Sequence, residues 1–490
     1  MEAWSRMNPR REPASEMVCT DVLVLGAGGA GLRAALEAAR EGAKVTVVSK
    51  MGAEDPSCTV AAWGGLTYCP EEQRDELFRQ VVETGGFLSN QCLVETFVQD
   101  TPRRMRELAE LGVPLEVLDG ADQAHRLGMV KIRGQGRTTG FGLTRPLRAA
   151  ATALGVQVLD QVMVTGLTKQ AGHVNGALGV RLQDGAVLGL AAKAVIVASG
   201  GGACLYGRSD NPAGTTADGI ALAYAAGADL VDMECVSFFV PATRLPELFA
   251  VTEPPAEDLL QVGAAHYFLG GIRIDARTQT TVPGLFAAGE ATGGLFGAAR
   301  LGGSAMADTV VFGAIAGREA ARYARQQPPP GLASGLLADE CRRLNGLSAA
   351  HGPTPAAFAA ALGEVMWRQA GTMKTRTSLE RASQALAELV PAAPSFAVHS
   401  PADLRQAVEC LHMATVARLI VSAALLREET RGCFWRLDFP QPDNLKWLVN
   451  IILRHPDAGV TSELRPVLMT RLKTPTRPRI GAGCFPYVMP

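Results

Sequence analysis

The sequence predicts an α/β protein with a Rossmann-like parallel sheet at its N-terminal end and a helical domain towards its C-terminal end. Three observations carry this prediction. A short apolar strand, Asp21-Val-Leu-Val-Leu25, runs directly into Gly26-Ala-Gly28-Gly29-Ala-Gly31. A helical stretch from Leu32 to Glu41, closed by Gly42, then leads to a second strand, Lys44 to Ser49, and completes a βαβ unit of about 30 residues. From about residue 338 to 455 the apolar residues recur at helical spacing, as in Leu411, Val416, Leu419 and Ile420.

Each further element follows from its pattern. Glu71 to Leu111 reads as helix, with Val94, Phe97, Met105, Leu108 and Leu111 on one stripe. Val156 to Leu190 reads as a β-meander with an Asp184-Gly185 turn, and Ala194 to Ala198 as a buried strand followed by three glycines. Ile220 to Ala226 reads as a helix. Pro283 to Glu290 reads as a strand ending in an acidic residue, Gln326-Gln-Pro-Pro-Pro-Gly331 as a linker, and Pro475 to Pro490 as an extended tail.

Composition narrows the function. Lys+Arg is 47 and Asp+Glu is 48, so no global positive field exists to favour nucleic acid. No uninterrupted apolar run of about 20 residues suggests a membrane span of its own, and the polar start suggests no export signal, so the expected location is cytoplasmic. The ten cysteines include no C-x-x-C pair, which speaks against an iron–sulfur cluster, a zinc ribbon or any other metal site within this chain.

The glycine cluster lies between a strand and a helix, where backbone can approach a pyrophosphate and the helix N-terminus offers N–H donors. Gly26, Gly28, Gly29 and Gly31 are therefore candidate dinucleotide contacts. A site for NAD would carry Asp or Glu at the end of the second strand for the ribose. Ser49 and Lys50 stand there instead, which weakens an NAD reading and leaves a flavin one open.

Several ordered segments resemble the flavoprotein subunits of succinate dehydrogenase, fumarate reductase and L-aspartate oxidase. Ser57-Cys58-Thr59-Val-Ala-Ala-Trp-Gly64-Gly65 is similar to that family's S-H-T-V-A-A-x-G-G. Ala198-Ser-Gly200-Gly201-Gly202 followed by Asp218-Gly219 resembles its second flavin-contacting stretch. His266-Tyr-Phe-Leu-Gly-Gly-Ile272 resembles H-Y-x-x-G-G-I. Gly289-Glu290, Arg300-Leu-Gly-Gly303-Ser304 and Asp308-Thr-Val-Val-Phe-Gly313 resemble G-E, R-L-G-G-N-S and D-x-V-V-F-G. Glu429-Thr-Arg-Gly432 with Arg436-Leu-Asp438-Phe-Pro440 resembles a stretch of the C-terminal helical domain.

The resemblance covers about 18–455 and implies FAD. It implies cofactor contacts at the four glycines above, at Ser49, Lys50, Cys58, Thr59, Gly64, Gly65, Gly200, Gly201, Asp218, Gly289, Glu290, Arg300, Gly303 and Ser304. It also implies a discontinuous FAD-binding domain, 18–235 and 270–326, interrupted by a vestigial cap at 236–269. A C-terminal helical domain at 336–460 and an extended tail at 461–490 follow.

Four departures from the family bear on chemistry. Cys58 replaces the histidine that tethers flavin, so FAD is expected to be non-covalent. Met233-Glu234 lies only 32 residues before His266, so most of the family's capping domain is missing. Arg244 is the arginine of that stretch and the candidate for the family's proton donor. Phe239 stands where the family has a substrate-binding histidine, and Phe434 replaces another position that is usually histidine.

His266 and Arg300 match family residues that hold a substrate carboxylate, chemistry suited to a planar guanidinium fork and an imidazole donor. The expected function is hydride exchange between flavin N5 and a C–C bond beside a carboxylate. Its expected partners are a small carboxylate substrate and an iron–sulfur or other electron-transfer protein. An electron-transferring subunit or flavin scaffold within a larger complex, and an aspartate-oxidase-like amino acid oxidase, are the alternatives.

Overall fold

The computed structural model describes residues 13–53, 55–117, 129–133, 139–241, 263–349, 351–390, 395–455, 460–474 and 487–489. Its centre is β1 (Pro13–Leu25), whose Val22, Leu23 and Val24 are fully buried because both faces of the sheet are covered. β1 leads through the glycine turn into α1 (Gly29–Arg40) and on to β2 (Val45–Ser49), which pairs with β1 in parallel. β3 (Gln157–Asp160) continues the parallel set beyond β2.

β4 (Val162–Gln170) and β5 (His173–Arg181) form an antiparallel hairpin that joins β6 (Val187–Val197). β6 returns to the centre and lies parallel to β1 along most of its length. The expected meander is therefore an extension of the main sheet.

β7 (Val236–Pro241) and β8 (Ala264–Phe268) form an antiparallel pair outside this sheet, bringing Phe239 and His266 onto neighbouring strands. Residues 242–262, and with them Arg244, lie outside the described residues. β9 (Leu285–Ala287) returns to the main sheet, parallel to the second half of β6. The sheet thus resumes after the interruption at 283–290, as expected. Ile272 does not join it: Gly271–Arg273 belongs to a second sheet, with Leu230–Val231 on one side and Thr292–Gly293 on the other.

α2 (Ser304–Ala324) packs along α1 at very short range. A Cβ on Gly313 would lie 2.7 Å from the Ala30 carbonyl oxygen, and one on Gly317 would lie 2.1 Å from that of Ala34. These two glycines set the depth at which both helices cover the sheet.

The helical stretch expected at 71–111 consists of two α-helices, Arg74–Thr84 and Gln91–Glu110, separated where Gly86 and Phe87 take positive φ. The C-terminal region opens with helices Leu336–Gly346, Pro355–Ala370 and Arg376–Leu389 and then α3 (Pro401–Leu426). Thr354, Thr375 and Ser400 cap three of these four through side-chain oxygens that accept a backbone N–H. α3 is long and apolar enough to cross a membrane by length and composition, but most of it is buried within the molecule.

Helix does not continue to 455. Val449–Arg454 and Thr461–Pro466 form an antiparallel hairpin that joins the second sheet through Leu230–Val231. The tail expected from 461 therefore begins as a paired strand, and Tyr487–Met489 lies parallel to β7.

Candidate functional site

The carboxyl ends of β1, β2 and β6 open onto a cavity of about 1250 Å³. In open α/β sheets this end is where ligands bind. The glycines of the β1–α1 turn divide their work. Gly26, at φ +111°, could not carry a Cβ, which would lie 2.4 Å from the Ala198 carbonyl oxygen; one on Gly31 would lie 1.8 Å from that of Gly26. These two close the turn and press α1 against it. Gly28 has only the Thr59 hydroxyl near its Cβ position, at 3.6 Å, and lines the cavity. The result is a backbone cradle at a helix N-terminus, with room for a pyrophosphate.

Of the residues expected at the site, Gly26, Gly28, Gly29, Ser49, Lys50, Cys58, Thr59, Gly65, Gly200, Asp218, His266, Glu290, Arg300 and Gly303 line this one cavity. Gly31, Gly64, Gly201, Gly289 and Ser304 stand behind the lining. A Cβ on Gly64 would meet the Thr139 side chain, one on Gly201 the Glu290 carboxyl, and one on Gly289 the Ala30 Cβ. The Ser304 side chain is buried and its hydroxyl meets that of Thr67. These residues shape the wall through close packing.

Lys50 is tied down by its own neighbours. Its ammonium donates to Asp218 at 2.6 Å, Glu409 at 2.8 Å and the Thr216 hydroxyl. Asp218 also meets His412 Nδ1 at 2.8 Å. Lys50 and His412 together hold the Asp218 carboxyl well below its ordinary range, against the effect of burial. This cluster bolts α3 to the cofactor end of the cavity. Glu409 and His412 escape sequence reasoning because they sit within a long apolar helix whose pattern announces only core.

Cys58 occupies the tether position. Its thiol donates to Asn211 Oδ1 at 2.8 Å and lies 3.2 Å from the Thr215 hydroxyl. Burial, then the nearby Glu290, pushes this thiol far above the ordinary range, so it stays protonated at neutral pH. Glu290 is itself buried, with its carboxyl accepting the Phe268 N–H at 3.0 Å, and burial raises it to about 7.

At the other end of the cavity stand Arg300, His266 and Phe239. The Arg300 guanidinium lies 4.4 Å from the Tyr267 ring centre, and its Nη2 is 3.4 Å from His266 Nε2. The Phe239 ring meets the His266 ring edge-on at 5.0 Å. His266 Nδ1 is 2.8 Å from Asp210 Oδ2. Asp210 and Asn211 lie in an irregular loop that carries no motif, and no signal in the sequence singles them out. Trp63 also lines the cavity and is half exposed. Phe434, by contrast, is fully buried with the Lys374 ammonium 4.8 Å from its ring centre, and does not line the cavity.

A parallel sheet, a glycine cradle at its carboxyl end and a large cavity with an arginine and a histidine on its wall define a dinucleotide-dependent oxidoreductase. An FAD binding domain model matches residues 21–253 and 249–306, and a fumarate reductase flavoprotein C-terminal model matches 359–480. One of the subunits of the CoM/CoB fumarate reductase of Methanothermobacter marburgensis is 30% identical, over 90% of this chain and 98% of the relative. That alignment runs over 538 positions, more than the 490 residues of this chain, so the relative has segments without a counterpart here.

The fumarate reductase flavoprotein subunit of Haemophilus influenzae is 27% identical, over 93% of this chain and 95% of the relative. The FrdA chain of Escherichia coli quinol fumarate reductase shares the fold, with a TM-score of 0.80 at 24% identity over 95% of this chain and 99% of that one. The chain belongs to the FAD-binding flavoprotein family of fumarate reductase and succinate dehydrogenase, and is an FAD-dependent oxidoreductase acting on CH–CH groups.

Proposed function

We propose that this chain reduces the double bond of a small unsaturated carboxylic acid, or runs the reverse reaction, with a non-covalent FAD and a separate electron-transfer protein. The substrate is a monocarboxylate or a bulkier, more apolar acid in preference to fumarate. The observation that carries this reading is the wall formed by Arg300, His266 and Phe239: one cationic fork beside an imidazole, with an aromatic ring where a second donor would stand. One carboxylate is clamped at Arg300 and the remainder of the acid lies against Phe239 and Trp63.

The cavity fits FAD at the Gly26–Gly29 cradle, with Ser49, Thr59, Gly200 and Glu290 along it. FAD, when bound, supplies or accepts a hydride. The residues of this chain orient the acid, keep its carboxylate charge against Arg300 and hold a neutral thiol at Cys58. That protonated, hydrogen-bonded thiol is a poor nucleophile, which supports non-covalent attachment. The two relatives named first above are both called subunits, which supports an iron–sulfur or other electron-transfer protein as partner.

A panel of acids tests the reading, with reduced methyl viologen as the electron donor. Crotonate or cinnamate is expected to be reduced with a higher kcat/KM than fumarate; fumarate as clearly the best acceptor would overturn the preference. Acid precipitation is expected to release the yellow chromophore into the supernatant, and flavin fluorescence that stays with the denatured band would refute non-covalent attachment.

A further inference from the structure

We propose that His412 of α3 is a positioning residue for FAD: its Nδ1–H turns the Asp218 carboxylate so that Oδ1 accepts a ribose hydroxyl from the adenosine half of the cofactor. The inference is independent of the acid substrate and concerns the cofactor end of the cavity.

The problem is already visible in the sequence. A dinucleotide-binding sheet of this kind carries an acid at the end of its second strand, where the ribose lies. Here β2 ends at Ser49 and Lys50 follows. The fold brings a carboxylate to that place from elsewhere. Asp218, the first residue of the helix Asp218–Ala225, lines the cavity with its Oδ2 2.6 Å from Lys50 Nζ. Asp55 also lines the cavity from the loop after β2, but it is exposed and its Oδ2 accepts the Gly52 N–H at 2.6 Å.

Hydrogen-bond capacity leaves one position open on Asp218. An ionised carboxylate accepts at about four positions, two on each oxygen. Oδ2 is filled by Lys50 Nζ at 2.6 Å and by the Thr216 hydroxyl at 2.9 Å. Oδ1 takes His412 Nδ1 at 2.8 Å and has one position left. The cavity that Asp218 lines is the space from which a fourth donor can come. Against the effect of burial, Lys50 and His412 hold the carboxyl ionised, so it accepts and does not donate. The proton of the contact with His412 therefore sits on Nδ1.

His412 and Glu409 lie three residues apart on α3 and share one of its faces. Neither lines the cavity. Glu409 accepts from Lys50 Nζ at 2.8 Å, which holds the ammonium between two carboxylates and keeps it on Oδ2. His412 is largely buried, so its ring has a settled place beside Asp218. An imidazole donor at one oxygen and an ammonium at the other fix the rotation of the carboxylate before the cofactor arrives. Without His412, Oδ1 loses its protein donor, and Lys50 draws the carboxylate into a two-oxygen contact that covers the ribose position. A residue of the helical domain, 194 positions from Asp218, thus sets how tightly the FAD-binding domain holds its cofactor.

The test measures binding to the flavin-stripped full chain by quenching of flavin fluorescence. The ligands are FAD and its 2′-deoxy and 3′-deoxy forms at the adenosine ribose. The parent is expected to bind one of the two deoxy forms about tenfold more weakly than FAD, the loss of one hydrogen bond to a charged group. His412→Leu removes the donor; it is expected to bind FAD about tenfold more weakly and to distinguish the deoxy forms by less than about twofold. His412→Asn places Nδ2 close to where Nδ1 stands, and is expected to keep the discrimination and an FAD affinity within about threefold of the parent. A packing role would give the reverse order, since leucine fills the space of the ring better than asparagine.

Discrimination is a ratio within one protein, so a uniform fall in stability does not move it; the urea midpoint of each variant reports that fall separately. A parent that binds both deoxy forms as tightly as FAD would overturn the proposal, whatever the variants do. So would a His412→Leu protein with parental affinity or parental discrimination, or a His412→Asn protein that has lost the discrimination. If His412→Leu fails to fold, the parent and His412→Asn results decide the matter.

Discussion

Arg427 and Arg300 sit in clusters of similar composition built in different ways. Arg427 is fully buried, and each arm of its guanidinium has a partner: Glu234 at 2.7 Å, Glu429 at 3.0 Å and the carbonyls of Trp447 and Val449. Glu429 is held in turn by Arg431, which donates onward to the Gly86 carbonyl. The result is a closed lattice that ties the C-terminal segment to the first helices.

Arg300 lies on the cavity wall, against a tyrosine ring and an imidazole. The two acids nearest to it in charge terms, Glu290 and Asp308, are raised by burial to about 7 and about 8. Arg427 is thus enclosed by glutamates that accept from it directly, whereas Arg300 stands against a ring and an imidazole, near acids that burial drives towards neutrality.

Arg427→Met should have the largest effect. It leaves Glu234 buried without its cation and Glu429 with Arg431 alone, a loss of about 3–5 kcal/mol, read as a lower midpoint in urea unfolding. If stability were unchanged, the contrast between the clusters would collapse. Arg300→Lys should weaken acid binding by roughly 1.5–3 kcal/mol through loss of the planar fork. Flavin content and the urea midpoint should stay close to those of the parent. A flavin-free Arg300→Lys protein would make this arginine structural as well.

Phe239→His should be milder. It adds a donor beside His266 and should favour fumarate over crotonate by about 1 kcal/mol in kcat/KM. An unaltered ratio would remove Phe239 from the selectivity argument.

The smallest expected effect is electrostatic. Glu290 and Asp308 have folded-state pKa values raised above their unfolded ones, so their contribution is fully present below about pH 4. It is lost as pH rises towards 8, since the folded state then holds protons that the unfolded state does not. The Tm of flavin-stripped protein should fall across this window from their contribution, and Asp308→Asn should flatten the decline. An unchanged slope would mean that Asp308 is not the buried acid responsible.

How much of the site was legible depended on how local its cause was. The glycine turn is marked by its own spacing, and the Cys58 segment and the His266 and Arg300 turns by short runs that resemble family motifs; they meet in one cavity. Asp210, Asn211, Glu409 and His412 have no such run around them. The strands at 449–454 and 461–466 were unreadable for a related reason: a short apolar run has too few residues to separate strand from helix by period. Ile272 was read into the wrong sheet because chain order shows that a strand exists but not its neighbour.

The sequence by itself determined the elements whose causes lie within a few residues. Gly31 must be glycine because its missing Cβ would strike the Gly26 carbonyl oxygen, five residues back. The helices at 355–370, 376–389 and 401–426 begin where Thr354, Thr375 and Ser400 satisfy the first N–H groups. Only the tertiary structure decided the pairings that make the site work: Lys50 with Glu409 across 359 positions, and His266 with Asp210 across 56. The physical reason is that steric and capping rules act along the chain, whereas the charge state and aim of a side chain depend on what folding buries beside it. Lys50 and Arg300 were read alike as cofactor contacts and both line the cavity, yet packing paired Lys50 with Asp218 and Glu409 and set Arg300 against Tyr267 and His266.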